Sequence, residues 1–225
     1  MLMVNKIYVT HYTPLMDRKI KLVKDLADLD IQVQWFEQEP SEADIQELHS
    51  NTDALWKKKT QDLDYGGPIP WKYLTKSEIS LAYKHIKVYE DMIENGVNTA
   101  LVLEDDVVFE DDFINKFNFN LMATPHDWDM IFIGSGCDLR IAPHRREDGK
   151  VAYLKPHPAS KCTDSYLIKQ SAADKLYKTI FPFTMPIDFE LNYQMSLHNM
   201  RVYWWEPPLI KQGSQCGIYD SEIMK

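Results

Sequence analysis

The chain has 225 residues, a formal charge of −9 and 44% hydrophobic residues. That length makes one large domain or two small ones, with room for a substantial core. The acidic balance excludes a general nucleic-acid binder, which would carry a basic face, but stays compatible with a nucleotide held through a metal. The cysteines, Cys137, Cys162 and Cys216, are odd in number, far apart in sequence and free of CxxC or zinc spacing, which predicts a reduced, cytosolic-type setting. Residues 1–9 are too mixed for a signal peptide. No run approaches the roughly 18 apolar residues of a membrane span. The expectation is a cytoplasmic protein, with peripheral attachment to a membrane surface left open. No internal repeat or low-complexity linker divides the chain.

Residues 6–10 read as a first strand and 31–36 as a second. Between them, 15–29 reads as a helix, with Ile20, Val23, Leu26 and Ala27 at helical spacing. Pro14 suits that helix's first turn, and the β-α-β order implies a parallel pair with a right-handed crossover. Ser41 with Asp44 starts a short helix to about 49. Lys57-Lys58-Lys59 reads as a solvated charge run, and 66–70 as a loop by its Gly and Pro residues. The aromatics Trp56, Tyr65, Trp71 and Tyr73 crowd this region, either as core or as a wall for stacking a sugar or base. Thr75-Lys76-Ser77-Glu78 spells a capping box. The helix it opens runs to about 95, with Gly96 just beyond. Ile79, Ala82, Ile86, Tyr89 and Ile93 form its apolar stripe, and Glu78 and His85 share one edge.

The segment 100–109 holds the chemistry. An apolar run, Ala100 to Leu103, leads into Glu104, Asp105 and Asp106, and another apolar run follows. It reads as a strand buried on both faces. Alternation puts Glu104 and Asp106 on one side and Asp105 on the other. Three adjacent acids are costly to bury unpaired, but the carboxyl end of a parallel strand is where open α/β sheets place their ligand crevice. A hard divalent cation would supply the missing charge; a solvated acidic turn is the plainer alternative.

Residues 111–122 predict a helix with acids in its first turn, and 128–134 another buried strand. Gly134-Ser135-Gly136 fails as a dinucleotide loop, because no third glycine and no amphipathic helix follow. The irregular stretch 138–161 holds six basic residues (Arg140, Arg145, Arg146, Lys150, Lys155, Lys161) against three acids. It is a solvated loop, or a mobile one that meets phosphate or an anionic acceptor. Residues 164–168 read as a strand, and Ser171 as the cap of a helix to 179 that turns Ala172, Leu176 and Ile180 inward. Asp188 opens a helix to about 198. Residues 201–205 form a last strand stopped by Pro207-Pro208, and the polar tail from 211 is expected to wrap the surface.

Together these pieces resemble glycosyltransferase family 25, which includes bacterial lipopolysaccharide galactosyltransferases and collagen galactosyltransferase domains. The likeness is strongest over 74–109. There Glu78 and His85 of the helix and Leu103-Glu104-Asp105-Asp106 of the strand match the family pattern, while Ser77, Ile79 and Ser80 stand where the family keeps small Gly and Cys residues. Weaker matches follow in order: Asp17-Arg18 near the start (with Thr10-His11 where Asn-Leu is usual), Met185-Pro186-Ile187-Asp188, and Pro207-Pro208-Leu209-Ile210 with 219–223.

The resemblance implies an α/β, GT-A-like fold: one mixed, mostly parallel central sheet flanked by helices. It makes 1–225 a single domain, with a nucleotide-binding half over about 1–110 and an acceptor half over about 111–225. It also implies a UDP-sugar donor, often UDP-galactose, Mn2+ or Mg2+ as cofactor, a glycan, glycolipid or protein acceptor, no nucleic acid, and inversion at the anomeric carbon. Asp106 and Glu104 are the metal candidates. Glu104, Asp105, Thr10, His11 and Arg18 are the nucleotide-side candidates. Asp188 is the candidate base, with Glu190 in reserve, and His85 and Glu78 brace the acidic strand. Two rivals stand beside this: a catalytically inactive glycan- or nucleotide-binding domain, and a haloacid-dehalogenase-type phosphatase, which needs an aspartate nucleophile where this chain has Glu104.

Overall fold

The computed structural model describes residues 1–48, 53–61, 73–155 and 159–219. Its elements in chain order are β1 (Lys6–Thr10), α1 (Met16–Asp28), β2 (Gln34–Phe36), α2 (Glu42–Leu48), α3 (Asp53–Gln61), α4 (Lys76–Glu94), β3 (Thr99–Glu104) and β4 (Val107–Phe109). They continue with α5 (Phe113–Ala123), β5 (Met130–Phe132), β6 (Ala152–Leu154), β7 (Ser165–Lys169), α6 (Gln170–Thr179), α7 (Ile187–Leu197), β8 (Val202–Trp205) and β9 (Ile210–Gln212).

A central sheet runs in the order β2-β1-β3-β7-β5-β8-β6. Strands β2, β1, β3, β5 and β8 point one way and β7 and β6 the other. This is the mixed, mostly parallel sheet that the family resemblance implies. Side-chain alternation splits its two faces into two cores. Tyr8, Val102, Phe132 and Tyr166 meet the buried faces of α4, α6 and α7. Ile7, Val9, Leu101, Leu103, Ile131 and Leu167 meet Leu22 and Leu26 of α1 and Phe113 and Phe117 of α5. At 11 residues α5 is below the length at which a helix stands alone in water, so burial of Phe113 and Phe117 holds it. The sheet crosses from the strands of 1–110 to those of 111–225 at the β3–β7 pair without a break, and the first core draws on both halves.

Helix α4 forms as its capping box requires. The Thr75 hydroxyl accepts from the Glu78 amide at 3.3 Å, and the Glu78 carboxylate accepts from the Thr75 amide at 2.8 Å. Gly96, at φ +63°, turns the chain out of the helix.

Several local expectations are corrected. In α1 the buried face is Leu22 and Leu26, while Ile20 and Val23 are 64% and 47% exposed; those two lie roughly 160° and 100° round the helix from Leu22. Asp111 and Asp112 precede α5, Asp112 standing at its N-cap in a left-handed conformation at φ 57°. Ser171 lies inside α6, where Lys169 holds the N-cap position. The irregular stretch 138–161 contains the edge strand β6, paired antiparallel to β8. Two of its charges are spent there, since Arg140 and Arg146 both meet Glu206, and Lys155 lies 3.8 Å from the centroid of the Trp204 ring. The tail does not simply wrap the surface: β9 pairs antiparallel with β4 in a second, two-stranded sheet. Tyr65, Trp71 and 66–70 fall outside the described residues, and Tyr73 is exposed. Among the described residues no helix is long and apolar enough to cross a membrane.

The lysine run divides within α3. Lys57 and Lys58 are exposed, but Lys59 is buried and forms an ion pair with the fully buried Glu190 of α7. Its ammonium also donates to the Pro182 carbonyl at 2.9 Å. A buried carboxylate on α7 needs a cation, and the Lys59 stem delivers one. Lys59→Ala leaves that carboxylate uncompensated and is expected to cost about 3–5 kcal/mol in urea unfolding, whereas Lys59→Met with Glu190→Leu should recover most of it. Equal losses in the single and double variants would contradict a buried pair.

Candidate active site

The carboxyl ends of β1 and β3 open on a cavity of about 550 Å3. Thr10, Tyr12 and Arg18 line it from the β1 side, Glu104, Asp105 and Asp106 from the end of β3, and Ser77, Glu78 and Leu81 from the first turns of α4. Trp56 of α3, the segment Thr184–Phe189 at the start of α7, Cys162 and Thr163 ahead of β7, Cys137, and the tail residues Gln212, Ser214 and Gln215 complete the wall.

Strand β3 ends at Glu104, and Asp105 and Asp106 form a turn before β4. Strand alternation therefore stops at Glu104, and the three carboxylates part for other reasons. Asp105 is fully engaged: its Oδ2 meets His11 Nδ1 at 2.7 Å and accepts the Tyr12 amide at 3.1 Å, and its Oδ1 accepts from Arg18 at 3.2 Å. It clamps the β1 loop to the end of β3. His11 is completely buried beneath it and, although it does not line the cavity, it holds Asp105, which does. Glu104 accepts from the Thr163 hydroxyl at 2.6 Å and lies 3.6 Å from His85 Nε2. His85 in turn meets the Tyr166 hydroxyl at 2.8 Å, and that hydroxyl bonds Tyr89 at 2.9 Å. His85 thus backs the acidic strand end from α4, while Glu78 both caps its helix and faces the cavity.

Asp106 is the least satisfied of the three. Its Oδ2 accepts the Ser214 amide at 3.2 Å, and Arg18 stands 3.8 Å away; its Oδ1 is buried without a hydrogen-bond partner. Burial, and then the neighbouring Glu104 charge, push its carboxyl up to about 6. Asp164, just behind, was not singled out in the sequence. It is completely buried, and burial with the charges of Glu104 and Asp106 lifts its carboxyl well above the ordinary range. Its signal was Gly134. A Cβ there would fall 1.9 Å from Asp164 Oδ2, so the glycine serves this carboxylate rather than a phosphate.

The donor set suits a hard cation. Among the described residues, Asp106 Oδ1, Asp164 Oδ1 and Gln212 Oε1 are buried oxygens without a hydrogen-bond partner, and Asp106 and Gln212 line the cavity. Among the described residues no three His, Cys, Asp or Glu side chains are already drawn round one point. The fit is therefore to an ion that keeps water and substrate oxygens and takes one or two carboxylates from the protein.

Asp188 lines the cavity from the first turn of α7. Pro186 holds the N-cap position, and the Asp188 carboxylate accepts its neighbour's amide, that of Phe189, at 2.9 Å. Burial, with Glu104 and Glu78 adding to it, raises its carboxyl to about 6. Glu190 is placed elsewhere. It faces Lys59, its Oε2 accepts the Thr184 amide at 3.2 Å, and it lines no part of the cavity.

The profile of glycosyltransferase family 25 (LPS biosynthesis protein) matches residues 4–191. The chain belongs to glycosyltransferase family 25. It is 27% identical to procollagen galactosyltransferase 2 of Homo sapiens over 192 residues, which are 83% of this chain and 30% of that protein. The chain thus spans less than a third of that relative's length. Over 73 residues, 31% of this chain and 12% of that protein, it is 32% identical to the human inactive glycosyltransferase 25 family member 3. Among solved structures, a glycosyltransferase involved in the glycosylation of the major capsid of PBCV-1 superposes with a TM-score of 0.49 at 10% identity, covering 92% of each chain. Family membership sets aside the phosphatase alternative.

The crowding of carboxylates has a measurable sign. With its folded pKa raised from 3.8 to about 6, Asp106 holds a proton in the folded chain that the unfolded chain has lost. Stability therefore falls as pH rises through about 4 to 6. Asp106→Asn removes that charge and keeps an acceptor for Ser214. The variant is expected to be more stable than wild type at pH 7, by on the order of 1–3 kcal/mol, and to lose the advantage at pH 4. A lower melting temperature for the variant at pH 7 would contradict this.

Proposed function

We propose that this family 25 chain is a metal-assisted glycosyltransferase that moves a hexose from a UDP-sugar to a hydroxyl of a glycan or protein acceptor, with inversion. Galactose is the first donor sugar to test, since it is the sugar in the names of the procollagen galactosyltransferase relatives. The observation that carries the reading is that one cavity is lined both by Asp106 after β3 and by Asp188 on α7, two buried carboxylates held on different elements.

A bound Mn2+ or Mg2+ supplies Lewis-acid stabilisation of the charge that gathers on the departing diphosphate, and Asp106 Oδ1 is the side-chain atom that would hold it. Arg18, fixed between Asp105 and the Tyr219 ring, adds a fixed positive charge on the same side. Asp105, with both oxygens engaged, keeps the β1 loop and the end of β3 in register. Trp56, Tyr12, Leu15 and Leu81 give the cavity the apolar surfaces on which a base or sugar face rests.

Inversion requires the acceptor oxygen to attack from the face opposite the diphosphate and to lose its proton as it does so. Asp188 suits that task. At about 6 its carboxyl is mostly ionised at pH 7, yet it is a stronger base than a solvated aspartate.

Asp188→Asn is expected to lower kcat by roughly 10²–10⁴ while preserving donor binding. Wild-type kcat should decline below pH about 6 as Asp188 takes up its proton. A UDP-hexose at about 100 times its dissociation constant, with Mn2+, should raise the melting temperature by roughly 5–10 °C. Asp106→Ala should lose the Mn2+-dependent part of that shift. Binding without turnover in the wild type would favour the inactive binding domain, a role that the names of some relatives allow. No shift with any UDP-sugar would overturn the donor assignment.

A further inference from the structure

Cys137 and Cys162 are 25 residues apart in the chain, yet their sulfurs lie 3.4 Å apart. Both line the cavity, and neither has a part in the proposed transfer. That separation is van der Waals contact, about 1.4 Å longer than a covalent S–S bond. The approach is built into the backbone. Cys137 has φ 52° and Cys162 φ 60°, so two non-glycine residues occupy the left-handed region at one contact. Gly136, the residue before Cys137, sits so close that a Cβ there would fall 2.5 Å from the Cys162 Cβ. Two strained turns and a glycine thus press one thiol-bearing turn against the other, at a position where each cysteine is free.

We propose that Cys137 and Cys162 form a reversible dithiol–disulfide modification site in the wall of the active-site cavity, oxidised by small-molecule disulfides of the glutathione class. The roles of the two sulfurs differ. Cys137 is exposed and Cys162 half-buried. An external disulfide reaches the exposed sulfur first, so Cys137 is the point of entry. The Cys137 thiolate attacks one sulfur of the oxidised disulfide and expels one thiolate, leaving a mixed disulfide on Cys137. Cys162 then releases its proton to solvent, and its sulfur attacks that of Cys137 and expels the second thiolate. The protein loses two protons and two electrons, and the external disulfide takes them up to become two thiols. The new bond closes the stretch that carries β6.

The change reaches the rest of the cavity through Gln215. The Gln215 amide nitrogen lies 3.4 Å from the Cys137 sulfur, and the Cys137 backbone amide donates to its Oε1. Gln215 follows Ser214, whose amide donates to Asp106. Drawing the Cys137 sulfur toward Cys162 removes the side-chain contact from the tail residue beside that donor.

The test is independent of any transferase activity. The full chain, folded and reduced, is incubated with oxidised glutathione at neutral pH, quenched by alkylation, and read by intact mass and peptide mapping. The expected result is a mass loss of two hydrogens, a cross-linked peptide joining Cys137 to Cys162, Cys216 alkylated, and full reversal by dithiothreitol. Cys162→Ser should stop at one glutathionyl group on Cys137, and Cys216→Ser should behave as wild type. A wild-type chain that keeps all three thiols, halts at the glutathionyl adduct, or joins either cysteine to Cys216 overturns the proposal.

Discussion

Like charges crowded at low solvent exposure govern this end of the molecule. Glu104, Asp106 and Asp164 converge where β3 and β7 meet, and desolvation together with mutual repulsion makes full ionisation of the group costly. The chain neutralises part of the cluster itself. Arg18 and His11 bind Asp105, Thr163 donates to Glu104, and the Ser214 amide donates to Asp106. What is left over is a set of acceptor oxygens without donors, and an environment short of donors favours a ligand that brings positive charge. The site is thus destabilised in the chain alone in the way that suits it to a charged ligand.

The rest of the fold can be seen as support for that cluster. The two cores clamp β3 from both faces with fully buried side chains, Leu101 and Leu103 on one and Ala100 and Val102 on the other. The His85–Tyr166–Tyr89 chain of hydrogen bonds places buried polar groups behind Glu104. Lys59 and Glu190 tie α3, which bears Trp56, to α7, which bears Asp188. Two elements that are separated in the chain are thereby held as neighbours across the same cavity.

Much of this was legible in the residues. The buried run ending in acids, the Thr75 capping box and the β-α-β opening all depend on local patterns, and each forms where the sequence puts it. Glu104, Asp105, Asp106, Arg18, Thr10 and Asp188 come together at one cavity. What sequence could not supply was long-range pairing. The Lys57–Lys59 run looks uniform, and only the fold reveals that Lys59 meets Glu190. The alternation of Glu104 and Asp106 was inferred from a continuous strand, but it is a turn that gives the three acids their separate partners. Asp164 looked like the start of a strand because nothing local distinguishes a buried acid from an exposed one. Cys137 and Cys162 looked distant because spacing along a chain says nothing of two turns meeting.

Gly213 and Ser214 bring one more consequence. The Gly213 amide donates to the Asp106 carbonyl at 2.7 Å, and a Cβ on Gly213 would fall 2.7 Å from that same oxygen. The part of the chain matched by the family profile ends at 191, so these closing contacts come from residues beyond it. A chain emerging from the ribosome displays Glu104, Asp106 and Asp188 well before it can close the wall around them. The order of synthesis therefore delays completion of the cavity until nearly the whole described chain has been made, and a fragment cut to the matched region would carry the acids without the segment that positions Asp106.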